Sequence, residues 1–530
     1  MRLLKFHFAP CKVIAGSESE TFTNCDDSTC NTCHRLLFLE EEMIKTKARY
    51  DSLVREYQEL KQTVNEVHKS SIDQLPVEVI AIIFEHYVQK SSIENELRCP
   101  ELALGAICQK WRRIAWSTQS LWTSLSFTFC SSTTAEKIGI AVEWLTRSAH
   151  LPVSISLQYI DELQLALAQP LLQAVNECSN RWSSLDLSLP PSFISAIRDS
   201  NGASPVLYSL SVEAEDSSGL HIPNTAPERL SLSDIPLKRL NMQWGKLIDF
   251  SASSSYSICE CIQVLKCATN LTCCDISPAF RGIADFALDM ITSSTLTSLD
   301  FTVLVYTEDA AFFFDHVTLP ALERLQLDLQ YREIPVPSLP NFLQRSSRSF
   351  KSLTLNSVAT RVSNLDALTL SIPFVSDFHI EFVCWDSADH AVRRSFYQAF
   401  EPPLSSSIGT SHHFLPQLKS LSLSGVFDIP DELIACLFSH YNSQGDAISS
   451  IYRPLESVTV QCHALDSVKD DLPMPYITKN TLDQIEFLKK KGVQVMVFDH
   501  FGCDLVDVSL DSLVLEEEIG QTCPVCMAPM

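Results

Sequence analysis

The residues best equipped for chemistry stand near the two ends of the sequence. Cys25, Cys30, Cys33 and His34 cluster close to the start, and Cys523-Pro524-Val525-Cys526 close to the finish. A Cys-x-x-Cys pair can supply two corners of a zinc tetrahedron. Cys30/Cys33 and Cys523/Cys526 would complete one only if the ends met, and a long repeat array keeps them apart. Cys25, Cys30, Cys33 and His34 alone are cramped around one ion, so no metal and no cofactor are expected. Catalytic spacings are missing too. The 13 glycines fall in no G-x-G-x-x-G or phosphate-loop pattern. There is no Gly-x-Ser-x-Gly elbow and no His-Glu-x-x-His helix. Carboxylates abound, but spacing alone pairs none of them as acid and base. The expectation is a non-catalytic binding protein.

Bulk properties narrow the kind of partner. A chain of 530 residues exceeds what one hydrophobic core organises, so several domains or a repeat array are expected. The net charge of −24 lacks the basic footprint of a nucleic-acid binder. The 19 cysteines are an odd number, and several (Cys108, Cys267, Cys436) sit in apolar contexts. That suits reduced thiols in a cytoplasmic or nuclear protein. The opening MRLLKFHFAP is too broken an apolar run for a signal peptide. The most apolar stretch, Ala367–Cys384, carries Ser371, Asp377, His379 and Glu381, so no membrane span is expected.

Residues 36 to 67 read in heptads. One seam position is filled by Leu36, Met43, Tyr50, Tyr57 and Val64, the other by Leu39, Thr46, Leu53, Leu60 and Val67. Charged and amide residues fill most of the gaps. This is the 3.5-residue repeat of a helix that lays one stripe on a partner. The partner is either the chain's own remainder or a second copy, through a homodimer over residues 36–67.

Next comes Ser71-Ile72-Asp73-Gln74-Leu75-Pro76-Val77-Glu78-Val79-Ile80-Ala81-Ile82-Ile83-Phe84. Asp73 is a capping residue type, and Pro76 suits a first turn, where its missing N–H costs nothing. Val79, Ile80, Ile83, Phe84 and Tyr87 recur at helical intervals. A second amphipathic helix runs from Pro100 through Leu104, Ile107, Cys108, Trp111, Ile114 and Ala115 towards Leu121-Trp122. Two short helices this apolar cannot make a generous core alone and must pack on something further.

Leu75-Pro76-x-Glu78-Val79-Ile80-x-x-Ile83-Phe84 resembles the opening of an F-box. Leu104-x-x-Ile107-Cys108-x-x-Trp111-Arg112-x-Ile114-Ala115, with Leu121-Trp122, resembles its close. The heptad helix before it is similar to that of many F-box proteins of mushroom-forming fungi. One departure is Gln119, where that family often has proline, which loosens a turn. The resemblance implies a partner, the Skp-type linker of cullin–RING ubiquitin ligases, and through it a cullin. It also implies linker contacts at Leu75, Pro76, Val79, Ile80, Ile83 and Phe84, with Trp111 and Trp122 as core.

Beyond residue 121 one phrase recurs, two apolar residues flanking one polar residue. The first apolar residues are Leu125, Ile155, Leu185, Leu210, Leu240, Leu271, Leu299, Leu325 and Leu353, at steps of 25 to 31 residues. A near-constant period marks a solenoid, and the alternation marks each phrase as a short strand. Later phrases centre on His379, Ser422, Thr459 and Met496. Leu319–Leu327 and Leu415–Leu423 resemble leucine-rich repeats. Such a repeat implies a horseshoe of parallel strands with helices outside. The residues between the apolar pairs then form one binding surface for a target protein: Asp186, Asn241, Asp300, Gln326, Thr354 and Ser422 are its candidates, with Ser211 in the same row. The 384–414 stretch, rich in Trp385, Arg393, Arg394, His412 and His413, interrupts the array.

The expected organisation is a cysteine-bearing tail (1–34), a coiled-coil-type helix (35–70), an all-α F-box (71–122), an α/β leucine-rich-repeat array (123–503) and an acidic tail (504–530). The expected function is substrate recognition for an SCF-type ubiquitin ligase. The alternative is a repeat scaffold with no ligase role, which would share the fold and bind no linker.

Overall fold

The computed structural model describes residues 31–67, 71–94, 99–161, 163–198, 207–213, 226–235, 237, 242–253, 256–282, 290–304, 306–346, 349–358, 368, 371–382, 396–397, 400, 414–426, 431–438, 454–462, 477–499 and 502–510. Cys25, Cys30, Cys523, Cys526 and most of the 384–414 stretch lie outside them, while Cys33 and His34 fall in the first turn of the first helix. Chain contacts separate two units, Met1–Thr118 and Gln119–Met530.

The first unit is helical. Helix α1 (Asn31–Val67) begins inside the stretch expected to be tail. The described seam residues of α1 are exposed, from Leu39 at 46% to Met43 at 71%. Among the described residues of its own unit, none covers this seam. Helix α2 (Val77–Glu94) follows directly on Pro76, whose carbonyl accepts from the Val79 and Ile80 amides at 3.1 Å. Helices α3 (Pro100–Ile107) and α4 (Gln109–Ser117) complete the unit.

The second unit is an α/β repeat solenoid with a parallel sheet of 14 strands. Strands β1 (Ser124–Phe129), β2 (Val153–Tyr159), β3 (Trp182–Ser188), β4 (Ser209–Glu213), β5 (Arg229–Ser233), β6 (Asp249–Ser253) and β7 (Cys273–Ser277) form one half. β9 (Ser298–Thr302), β11 (Arg324–Asp328), β12 (Ser352–Val358), β13 (Asp377–Phe382), β14 (Ser420–Val426), β15 (Ser457–Cys462) and β16 (Gln494–Phe498) form the other. Two short strands, β8 (Ile291–Thr292) and β10 (Val317–Thr318), pair separately. Within the large sheet each strand hydrogen-bonds to the next in sequence, as stacking of successive repeats requires.

Alternation decides which side is core. The row Leu125, Ile155, Leu185, Leu210, Leu230, Phe250, Cys274, Leu299, Leu325, Leu353, Phe378, Leu421, Val458 and Val495 is buried throughout. The described helices cover it: α5 (Ala135–Arg147), α6 (Leu165–Glu177), α7 (Pro191–Ile194), α8 (Ile258–Cys267), α9 (Thr307–His316), α10 (Ser338–Ser346), α11 (Asp431–Phe438) and α12 (Lys479–Lys490). In the middle of the array the ring of Phe301 lies 4.8 Å from Phe313 and 5.5 Å from Phe314 of α9. Aromatic groups of this size bury enough surface to dominate local stability.

Two strand positions differ from the sequence reading. β5 and β6 pair directly, and the expected phrase at 239–242 lies between them in the chain. Three repeats, stepping by 20, 20 and 24 residues from Leu210 through Leu230 and Phe250 to Cys274, thus stand where two of about thirty were expected. The next strand begins at Cys273, so Leu271 is a buried turn residue before it and not a strand residue. The array begins on aromatic packing. Trp122 is fully buried, meets Trp144 edge-on at 4.8 Å and lies under Arg147 at 4.8 Å. Leu121 and Trp122 therefore belong to the array unit, although their motif reads as the close of the helical segment.

Candidate protein-binding surfaces

The first surface is built by α2, α3 and α4. Cys108 ends α3 and caps α4: its Sγ accepts from the Trp111 amide at 3.4 Å. Arg112 Nε donates to the Gly105 carbonyl at 2.7 Å, and its guanidinium lies 5.7 Å from the Trp116 ring. The Cys-x-x-Trp-Arg spacing is therefore a device for turning one helix into the next. Trp111 faces Phe84 of α2 at 4.9 Å, which locks α2 onto the pair.

Locking α2 this way divides its apolar residues between two faces. Ile80 and Phe84 are buried, at 0% and 1% exposure. Both were expected to be linker contacts. Their place in the unit's own core corrects that expectation, because a group already covered by its own chain has no face to offer. Pro76, Val79, Ile83 and Tyr87 occupy successive turns one step round the helix and are exposed, with Ile82 and Val77 alongside. Leu75 is half-buried. Pro76, Val79, Ile83 and Tyr87 together make one exposed apolar stripe on a helix whose other side is held by Trp111. Ile107 and Trp116 of the same unit are exposed as well.

The second surface is the outward side of the 14-stranded sheet. The register places Asp186, Asp300, Gln326, Thr354 and Ser422 on one continuous row across it. Asn241 lies outside the described residues. Three members of that row were missed in the sequence, Ser231, Ser251 and Asp275, while Ser156 and His379 lay in recognised phrases without being named as candidates. Asp275 was hidden by setting its strand too early. His379 sat in a recognised phrase, and its tie to Ser422 joins residues 43 apart.

Row neighbours are connected across strands. Ser156 donates to Asp186 Oδ2 at 2.9 Å, Ser251 to Asp275 Oδ2 at 3.4 Å, and His379 Nδ1 meets Ser422 Oγ at 2.8 Å. Beside the row, Arg229–Asp249, Lys351–Glu323 and Lys419–Glu456 pair between adjacent repeats at 4.0, 3.2 and 2.8 Å. Parallel in-register stacking puts each such residue next to its counterpart, so opposite charges become ladders. Partial burial holds the carboxyls of Asp275 and Asp300 above the ordinary range. Ser251 opposes the shift at Asp275 and Asp249 adds to it, while Asp275 adds to it at Asp300 and Arg324 opposes it. Burial lowers His379, against the pull of Glu381, and so favours its neutral form.

The Asp300 shift has a measurable sign. A carboxyl raised in the folded state destabilises that state once pH exceeds the folded pKa, and the cost vanishes below the unfolded value. Asp300→Asn should therefore raise the unfolding free energy read by urea titration at pH 7, by under about 1 kcal/mol for a half-exposed charge. The gain should shrink as pH falls through the carboxylate range. Equal gains at pH 7 and pH 3 would contradict the assignment.

Among solved structures, the chain is similar to that titled as the Rad7 and Elc1 complex in yeast. The likeness covers 75% of this chain and 94% of that one, at 15% identity and a TM-score of 0.33. No protein-family model matches the sequence. No curated protein matches it either.

Proposed function

We propose that this chain is the substrate-recognition adaptor of an SCF-type cullin–RING ubiquitin ligase. In this reading residues 71–118 act as the F-box, and the stripe Pro76, Val79, Ile83 and Tyr87 lies against a Skp-type linker that brings the cullin. The outward row of the sheet holds the target protein. Ubiquitin transfer is carried out by partners, and the adaptor itself does no chemistry.

The observation that carries this reading is the division of α2. Phe84 fastens the helix to Trp111 and Ile80 is buried beside it in the chain, while Val79, Ile82, Ile83 and Tyr87 stay uncovered. The motif spacing that resembles an F-box supports it independently. The row of small polar and acidic groups suits a target gripped by many modest contacts and a few anchors. Its carboxylates favour a target surface bearing lysine or arginine.

Affinity purification tests the proposal. The tagged full chain should carry a Skp-type linker and a cullin. A chain lacking residues 71–118 should lose both while keeping the target. An intact chain that captures the target but no linker would instead be a repeat scaffold, and the adaptor reading would fall.

A further inference from the structure

Helix α1 has 37 residues and so runs for about 55 Å at 1.5 Å per residue. Its described seam residues are left uncovered by the described residues of their own unit. We infer that a second copy of this chain covers them, through an antiparallel coiled coil centred between Tyr50 and Leu53. The inference concerns a surface that the adaptor reading does not use.

Charge argues for self-pairing. In the heptad frame, Glu40, Lys47, Val54 and Lys61 flank one side of the seam, and Glu42, Arg49, Glu56 and Thr63 the other. Antiparallel pairing sets each flank against itself, reversed. About this centre Glu40 meets Lys61 of the other copy and Arg49 meets Glu56, each contact occurring twice by symmetry. Lys47 meets Val54 and Glu42 meets Thr63, so no like charges are opposed. A parallel dimer would also avoid like charges, through Glu42–Lys47 and Glu56–Lys61. Charge alone therefore selects a second copy without selecting a direction.

Seam volume selects the direction. In a parallel dimer each seam residue faces itself, so Tyr50 meets Tyr50, Tyr57 meets Tyr57 and Thr46 meets Thr46. The reversed arrangement sets Tyr50 against Leu53, Tyr57 against Thr46 and Met43 against Leu60. Large against small fills a narrow seam with fewer voids than large against large alternating with small against small. Reversal also sends the two polypeptides out of opposite ends of the coil at residue 67, so the two 71–118 segments are carried apart.

The mass of the purified full chain in solution is the first test. Twice the 59.3 kDa of one chain is expected, and a monomer at micromolar concentration overturns the inference. Leu53→Asp, on an exposed helix where folding is not at stake, should return the monomer; a persistent dimer would place the interface elsewhere. Charge reversal then fixes the direction. Arg49→Glu should weaken the dimer about tenfold by opposing Glu56 twice, and Arg49→Glu with Glu56→Arg should restore it. In a parallel pair Arg49 faces Val54, so Arg49→Glu would change nothing and Glu56→Arg would oppose Lys61. That outcome would refute the antiparallel arrangement.

Discussion

Replacing Val79 and Ile83 together by aspartate should lower affinity for a Skp-type linker at least a hundredfold and leave the chain folded. The two side chains are 39% and 38% exposed, on the same stripe as Pro76 and Tyr87. In the free protein a carboxylate at either place stays in water, so the fold loses little. In a complex each would be pressed into an apolar contact. Full burial of a valine or isoleucine contributes about 1.5–3 kcal/mol, and an unpaired buried charge costs more than that. A hundredfold corresponds to about 2.7 kcal/mol; with about two fifths of each side chain left to cover, lost burial supplies part of this and the two unpaired buried charges the larger share. The contrast lies one step round the helix. Phe84→Ala removes a fully buried ring that meets Trp111 and should cost about 3–5 kcal/mol of stability. Binding titration and thermal melting on both variants separate the faces. A double aspartate chain that melts normally and still binds the linker at full strength would end the adaptor proposal.

The same division shows where reading the sequence stopped short. Helical spacing put Val79, Ile80, Ile83, Phe84 and Tyr87 on one apolar arc. An arc that wide can be shared between a core and a partner, and spacing says nothing of where one ends. The boundary is set by Trp111, twenty-seven residues beyond Phe84, and by a thiol cap on α4. The array was more legible because its rule is local. Each strand alternates one buried and one outward residue, so Asp186, Asp300, Gln326, Thr354 and Ser422 could be assigned to one row before any register was known.

That rule failed where the period changed. Arg229-Leu230-Ser231-Leu232 carries the same phrase as its neighbours, yet it stands only 20 residues after Leu210, and Phe250 follows after 20 more. A fixed step near thirty passes over both and settles on Leu240. Hydrogen bonding tolerates the shorter step because parallel strands need only matched registers, whatever length of chain joins them. The outer side of each repeat varies freely, and the sheet does not. This is why the row survived the miscount and only its members at 231, 251 and 275 were lost.

Gly425→Ala should be the most damaging conservative change in the sheet, costing about 3 kcal/mol or more. Gly425 stands in β14 at φ +73°, where the pairing with β15 shifts register between Ser424 and Val426. A methyl group at this position falls on the carbonyl of Phe382 in β13. That carbonyl belongs to a strand bonded on both sides, and Phe382 is itself buried beside Phe396 at 5.9 Å, so the backbone cannot move aside cheaply. Two costs therefore add: roughly 1–2 kcal/mol for a left-handed L-residue and 1–3 kcal/mol for overpacking. Gly492 isolates the first. It ends α12 at φ +91°, its amide donates to the Lys489 carbonyl at 3.0 Å, and a methyl group there meets nothing within 4 Å. Gly492→Ala should thus cost only about 1–2 kcal/mol. Hydrogen exchange on each variant reads the difference locally, as the 420–426 strand should open far more readily in the first. Equal losses at the two glycines would mean that β13 yields, and that the stacked sheet is softer than its register suggests.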